Sequence, residues 1–369
     1  MRARRLAVEP RGRPSLVSRI VFPLASVIGA GVLGAILLIA TGHDPVDAYL
    51  EVLRSGFGSD LTIVRTLISA TPLILTGVAA AVAFRMKIWN IGAEGQLYLG
   101  AIAASGVALA VGESLPTMPA VALSLAAGAT AGAVWASLAA LPRAYLHTDE
   151  VISTLMLNFV ALHLMNYLIF GSVSFWRDTE RLSFPSGRFI PETAELPEIW
   201  LRLHAGIVIA VIVALFVWWV LRFSTWGFGV RVIGDSPATA RYAGFGVSRR
   251  IVSILAVSGA IAGLAGAVQI AGTSHALQPG GLAVNLGYTG IVIAAVSRLN
   301  PLAIVPVSIL IAGLTNAGTA LQAQGVPNDL LVLLQGLALL LVAAAEFFLA
   351  NRVRIVTRPL PTLETAEAA

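Results

Sequence analysis

The chain has 369 residues, but only 24 basic and 19 acidic side chains, 12% in all, against 57% from the apolar and aromatic set. Soluble domains carry about 25% charged residues, so this composition, with a mean hydropathy of +0.86, excludes an ordinary soluble enzyme, a disordered chain and a nucleic-acid binder. It indicates an all-α polytopic membrane protein in which lipid replaces water around the apolar exterior.

In chain order, residues 1–19 form a basic tail with six Arg. A span needs about 20 mostly apolar residues. Runs of that kind occupy 20–41, 64–84, 91–112, 118–141, 151–171, 204–221, 251–271, 302–321 and 328–349. The first run exceeds the roughly 7–15 apolar residues of a signal peptide and is expected to remain as an uncleaved span. A shorter apolar piece lies at 284–298. Loop charge arbitrates the count, because Lys and Arg collect on the cytoplasmic side. With ten crossings and the N-terminus inside, 18 of the 24 basic residues fall on the inner side. Nine crossings would leave Arg352, Arg354 and Arg358 outside. The expected architecture is therefore about ten transmembrane helices over 20–350, with both termini cytoplasmic. It has an external loop at 172–203, a cytoplasmic loop at 223–250 and a cytoplasmic tail at 351–369. The pI near 10.1 then reflects orientation.

The spans are rich in small residues. Gly259, Gly263 and Gly266 share a helix face, and such faces let helix backbones approach closely in membranes. The absence of Cys excludes thiolate chemistry. The five His residues form no ligand pair, and there is no nucleotide-binding lysine motif. His163, inside a span, reads as packing rather than as a ligand.

Two matching breaks stand out. Asn90-Ile91-Gly92-Ala93-Glu94-Gly95 opens the third span, and Asn285-Leu286-Gly287-Tyr288-Thr289-Gly290 opens the short element. Both read Asn-[Ile/Leu]-Gly-x-x-Gly. In the topology above they start from opposite sides, as expected of an inverted-repeat core whose short broken helices line a substrate path. An intramembrane carboxylate is a functional candidate by default, and Glu94 has a competing role as a charge favoured in the first turn of its own helix. The path candidates are Asn90, Glu94, Gln96, Asn158, Asn285 and Thr289. Asp149 and Glu150 read as helix-start charges.

The basic loop RVIGDSPATARYAGFGVSRR at 231–250 contains a helix start at Asp235-Ser236-Pro237. A short helix over 238–243 should end at Gly244. It offers either a docking surface or a solvated loop. The segment resembles the R-x-x-G-x-x-P-x-A-A-x-x-[AS]-G loop of ABC-importer permeases of the ribose and branched-chain amino-acid type, through Arg231, Gly234, Pro237, Ala238, Ala243 and Gly244. Thr239 departs from the usual second Ala. NIGAEGQLYLGA at 90–101, DEVISTLMLNFVALHLMNYL at 149–168, GYTGIVIAAVSRLNP at 287–301 and TPLILTGVAAAVAFR at 71–85 are similar to the nucleoside branch, which works with lipoprotein binding proteins. The likeness covers about residues 60–350.

The resemblance implies a membrane subunit of an ATP-driven importer in a bacterial cytoplasmic membrane. Its cargo would be a nucleoside or related purine compound. The implied partners are a second, non-identical permease, two cytoplasmic ATPases that bind ATP and Mg, and an external substrate-binding lipoprotein. The permease itself would hold no cofactor and perform no reaction. Arg231, Gly234, Asp235, Pro237, Ala238, Arg241 and Gly244 would couple it to the ATPases. A ribose-like sugar or a branched-chain amino acid is the alternative cargo. An ion-coupled transporter fits less well, since few acids lie within the spans, and no acid/base or ligand set there suits an intramembrane enzyme. The outer loop, with four Arg, five acids, Phe175, Trp176 and Trp200, suits either docking of a binding protein or a cap on its own subunit.

Overall fold

The computed structural model describes residues 2–10, 16–180, 185–278, 282, 285–323 and 325–359. Arg181, residue 284 of the short apolar piece and the last ten residues of the tail lie outside the described residues. The chain divides into two compact units, residues 51–320 and the two ends, 1–50 with 321–369.

In the unit formed by the ends, strand β1 (Arg2–Pro10) leads into helix α1 (Leu16–Ala40). The next helix, α2 (Pro45–Phe57), turns away from residues 28–40 by 120° and runs on into the larger unit. The sequence reading left α2 inside an outer loop. Val46, Leu50, Leu53 and Phe57 form its exposed apolar stripe, at the spacing of one helix face.

The larger unit is helical almost throughout. Helix α3 (Asp60–Phe84) is followed by α4 (Ala93–Val111), α5 (Thr117–Leu141) and α6 (Glu150–Asn166). The loop between α6 and the next long helix contributes a small hairpin, β2 (Glu198–Trp200) with β3 (Leu203–His204). Helices α7 (Gly206–Phe223), α8 (Thr225–Asp235), α9 (Pro237–Tyr242) and α10 (Val247–Gln269) come next. Helix α11 (Leu286–Val296) is short, and α12 (Pro301–Ala323) completes the unit. Helix α13 (Asn328–Ala350) and strand β4 (Asn351–Pro359) return to the first unit. There α13 packs along α1, and β4 pairs antiparallel with β1, Arg2 opposite Pro359.

Among the described residues, seven helices are long and apolar enough to cross a membrane, and the bent pair formed by α1 and α2 makes up to eight. The fold is thus that of a mostly helical, multi-pass membrane protein. The expected span at 328–349 coincides with α13, and the short apolar piece coincides with α11.

The core follows from where the small residues lie. α10 packs on α5, α4 and α3. A Cβ on Gly263 would stand 2.3 Å from the Gly128 carbonyl oxygen and 2.8 Å from the Gly132 Cα. A Cβ on Gly100 would stand 2.1 Å from the Gly263 carbonyl oxygen. The backbones of α4, α5 and α10 therefore touch directly, as the glycine face predicted. α3 is the most enclosed helix, buried from Ala70 to Phe84. α12 runs antiparallel to it: Ile304 lies against Gly77, and Asn316 bonds Ser69 and Thr66 at the other end.

Candidate functional site

A non-helical stretch separates α3 from α4. α3 stops at Phe84, and the chain stays non-helical through Gly92, with Lys87 in the left-handed region. Asn90 is fully buried and ties this segment down. Its amide nitrogen donates to Gln96 Oε1 at 3.0 Å and Ser258 Oγ at 2.9 Å. Its amide oxygen accepts from the Gly92 N–H at 3.0 Å and Gln96 Nε2 at 2.9 Å. Ser258 donates onward to the Ala79 carbonyl at 2.7 Å. Thus α3, α4 and α10 meet at one saturated polar knot.

Both breaks leave a helix N-terminus with free backbone N–H groups, and neither helix caps itself. Gly92 has no side chain to cap α4. Asn158 of α6 does so, accepting from the Gly95 N–H at 2.8 Å. Its amide nitrogen donates to the Ile91 carbonyl at 2.9 Å and to the Tyr288 hydroxyl at 3.0 Å. Asn285 precedes α11 in the left-handed region, φ 70°, and its side chain makes no cap. The cap comes from Glu94. Its Oε1 accepts from the Asn285 N–H at 2.9 Å and the Tyr98 hydroxyl at 2.8 Å, and its Oε2 accepts from the Gly287 N–H at 2.6 Å. A Cβ on Gly287 would stand 2.3 Å from the Glu94 nitrogen, so only glycine allows the two helix starts to meet. Thr76 of α3 adds a bond to the Leu286 carbonyl at 3.1 Å.

The structure therefore brings Glu94, Asn158, Asn285 and Thr289 to one junction of α4, α6 and α11, holds Asn90 and Gln96 at the knot with α10, and sorts them. Asn90, Glu94, Gln96 and Asn158 are buried with protein partners. Asn285 is exposed and Thr289 half-exposed, the latter donating to the Asn285 carbonyl at 2.9 Å. Asn285 is reached through its backbone. Ser258, Tyr98, Tyr288 and Thr76 belong to the same network and escaped the sequence reading. Tyr98 is one helical turn after Glu94, a spacing at which the pair was open to recognition. Asp149 caps α6 through the N–H groups of Val151 and Ile152. Glu150 instead pairs with Arg143 at 3.0 Å and accepts from the Trp89 N–H at 3.3 Å. His163 lies on the outward face of α6.

At the loop end, Ser236 caps α9 by accepting from the Thr239 N–H at 3.3 Å, with Pro237 in the first turn. The helix closes before Gly244, whose φ of 83° suits glycine. Asp235, Pro237, Ala238, Arg241 and Gly244 are exposed, and Tyr242 is 96% exposed. Arg231 points inward and donates to the Leu221 carbonyl. Gly234 faces the end of α3: a Cβ there would stand 2.6 Å from the Arg85 carbonyl oxygen. The loop thus bears directly on the segment that leads to Asn90.

At the other end, the loop at 172–203 is stitched to the molecule's own helices. Trp176 donates to the Ile102 carbonyl of α4 at 3.0 Å. The Ile190 N–H bonds the His275 carbonyl, and the Leu196 N–H bonds the Ala271 carbonyl, each at 2.8 Å. His204 is buried at the base of this cap. Its Nδ1 accepts from the Gly206 N–H at 3.1 Å. Burial, with the nearby His275 adding to it, pushes its pKa down to about 4.

The profile of a family described as the permease component of branched-chain amino acid transport systems matches residues 62–343. The chain is 31% identical to the guanosine ABC transporter permease protein NupP of Bacillus subtilis, covering 89% of this chain and 94% of that protein. It is 33% identical to the glucose ABC transporter permease protein TsgB13 of Haloferax volcanii, over 90% and 89% of the two chains. It is 26% identical to the nucleoside ABC transporter permease protein NupB of Lactococcus lactis, over 95% and 96%. A second permease of each of the two bacteria, NupQ and NupC, matches 55% and 56% of this chain.

Proposed function

The chain belongs to the permease family of branched-chain amino acid transport systems, and from that premise we propose that it is the membrane subunit of an ATP-driven importer of nucleosides or related purine compounds. The observation that carries the reading is the seating of Gly234, near the end of α8 just before the exposed α9, on the Arg85 carbonyl that begins the stretch leading to α4. A partner pressing on α9 would move the segment that holds the intramembrane junction. ATP and Mg belong to the two ATPase subunits expected to bind there. Two nucleoside-type relatives support the cargo. The paired permeases in the same bacteria support a non-identical second permease.

Ten crossings with both ends cytoplasmic remain the preferred topology. The Arg bias supports it, as does the pairing of β1 with β4, which joins the two ends. The antiparallel run of α12 along α3 supports it too, since it starts α12 on the side where Gly234 meets Arg85. In that topology α11 lies within the crossing assigned to 284–298. A reporter fused at residue 240 is expected inside and one at 190 outside. Within the junction, Asn285 and Thr289 are the side chains offered to a path, and an exposed polar group at that depth is costly unless it faces water or a partner.

The glucose permease relative favours a second reading, a simple sugar as cargo. Uptake of labelled guanosine in cells with and without this chain separates the two. The nucleoside reading expects uptake that depends on the chain and is competed by other nucleosides. Competition by glucose alone would favour the sugar reading.

A further inference from the structure

Among the described residues, the Glu94 carboxylate accepts from three donors, the Tyr98 hydroxyl and the Asn285 and Gly287 N–H groups. Two are the backbone N–H groups of Asn285 and Gly287 at the start of α11, where Asn285 makes no side-chain cap. A carboxylate is the side chain that best meets such N–H groups, through charge-assisted bonds and the helix dipole. α11 is short, 11 residues, and its first-turn N–H groups have no partner within the helix, a cost that is larger away from water. Its first turn therefore depends on a cap supplied from α4.

We propose that Glu94 is a positioning residue, a latch that holds the start of α11 against α4 and so keeps Asn285 and Thr289 in register with the coupling end, rather than a ligand for cargo. The latch lies in series with other named contacts. Gly234 bears on Arg85; Asn90 fixes the same segment to α10; Glu94 follows one turn later and carries displacement across to α11. Asn158 joins Tyr288 to Gly95 alongside it. Movement of the loop at 231–244 would reach α11 without any group on α11 touching the loop. This rests on the importer reading only for its uptake readout.

The test uses the full transporter in proteoliposomes and the absence of native cysteine. Thr289→Cys provides the one thiol of this chain, and its rate of modification by a membrane-impermeant maleimide, read on this chain's own band, reports how firmly α11 is held, with no cargo required. Adding Glu94→Gln, which replaces one acceptor oxygen with a donor, is expected to raise that rate by about tenfold, the factor for one charge-assisted bond. Tyr98→Phe, which removes one donor and leaves the packing, should raise it severalfold. In guanosine uptake both variants should lower Vmax, with KM held within about twofold. A tenfold rise in KM with unchanged labelling would make Glu94 a cargo ligand and overturn the proposal. Unchanged labelling and unchanged uptake would overturn it as well. If Glu94→Gln fails to reach the membrane, Tyr98→Phe is judged by the same criteria. If the native chain takes up no guanosine, the nucleoside reading fails while the labelling comparison still decides the latch.

Discussion

The two Asn-[Ile/Leu]-Gly-x-x-Gly breaks share a pattern and differ in fate. Asn90 is fully buried and uses both ends of its amide on Gln96, Ser258 and the Gly92 N–H. Asn285 is exposed, left-handed and engaged through its backbone. The cause is the neighbourhood. α4 is enclosed by α5, α6 and α10, whereas α11 rests chiefly on α3. The shared pattern specifies where a helix breaks. The packing around it decides whether the break becomes scaffold or working surface.

The largest effect is expected on the scaffold side. Gly263→Leu would drive a side chain into the Gly128 carbonyl and the Gly132 backbone, and should abolish recovery of monodisperse protein from detergent. Normal recovery would refute direct backbone contact among α4, α5 and α10. Next comes Asn90→Ala, which strands the Gln96 amide and loosens Ser258, at a cost of about 1–3 kcal/mol for each buried group left unpaired. Its thermal midpoint should fall by several degrees. Asn285→Gly, which keeps the left-handed backbone, should stay within about 0.5 kcal/mol of the native stability while altering guanosine uptake. Equal stability losses in these two variants would erase the distinction between the breaks. Gly234→Leu should cost about 1–3 kcal/mol of overpacking and depress uptake more than it depresses yield.

The smallest effect concerns the outer cap. His204 titrates near 4 when folded and near 6.5 when unfolded. The unfolded chain therefore takes up the extra proton first. The contribution is complete above about pH 6.5 and is lost as pH falls towards 4. Thermal midpoints across that window should decline for the native chain and decline less for His204→Gln. Parallel declines would assign the pH dependence to other groups.

Much of the molecule was legible in order of sequence separation. The apolar runs located the spanning helices, and the Ser236-Pro237 start and Gly244 stop located α9 almost to the residue. The glycines at 259, 263 and 266 announced a close helix contact, though not that α4 and α5 would supply it. The junction was harder to read. The hexads marked both breaks, but a cap supplied by Glu94 to residues 285 and 287, or by Asn158 to Gly95, depends on tertiary approach that no local spacing encodes. Glu94 accordingly read either as a path carboxylate or as a charge on its own helix, while the structure turns it towards another. α2 was legible and missed: its apolar stripe has helical period, but the run is too short and too charged to register as a span.

ATP-driven import is tested most directly by reconstitution. With the second permease, the ATPases and the binding protein in proteoliposomes, labelled guanosine should enter only when ATP is supplied on the side of α9, whatever ion gradient is imposed. Uptake that follows an ion gradient without ATP or the ATPases would contradict the account.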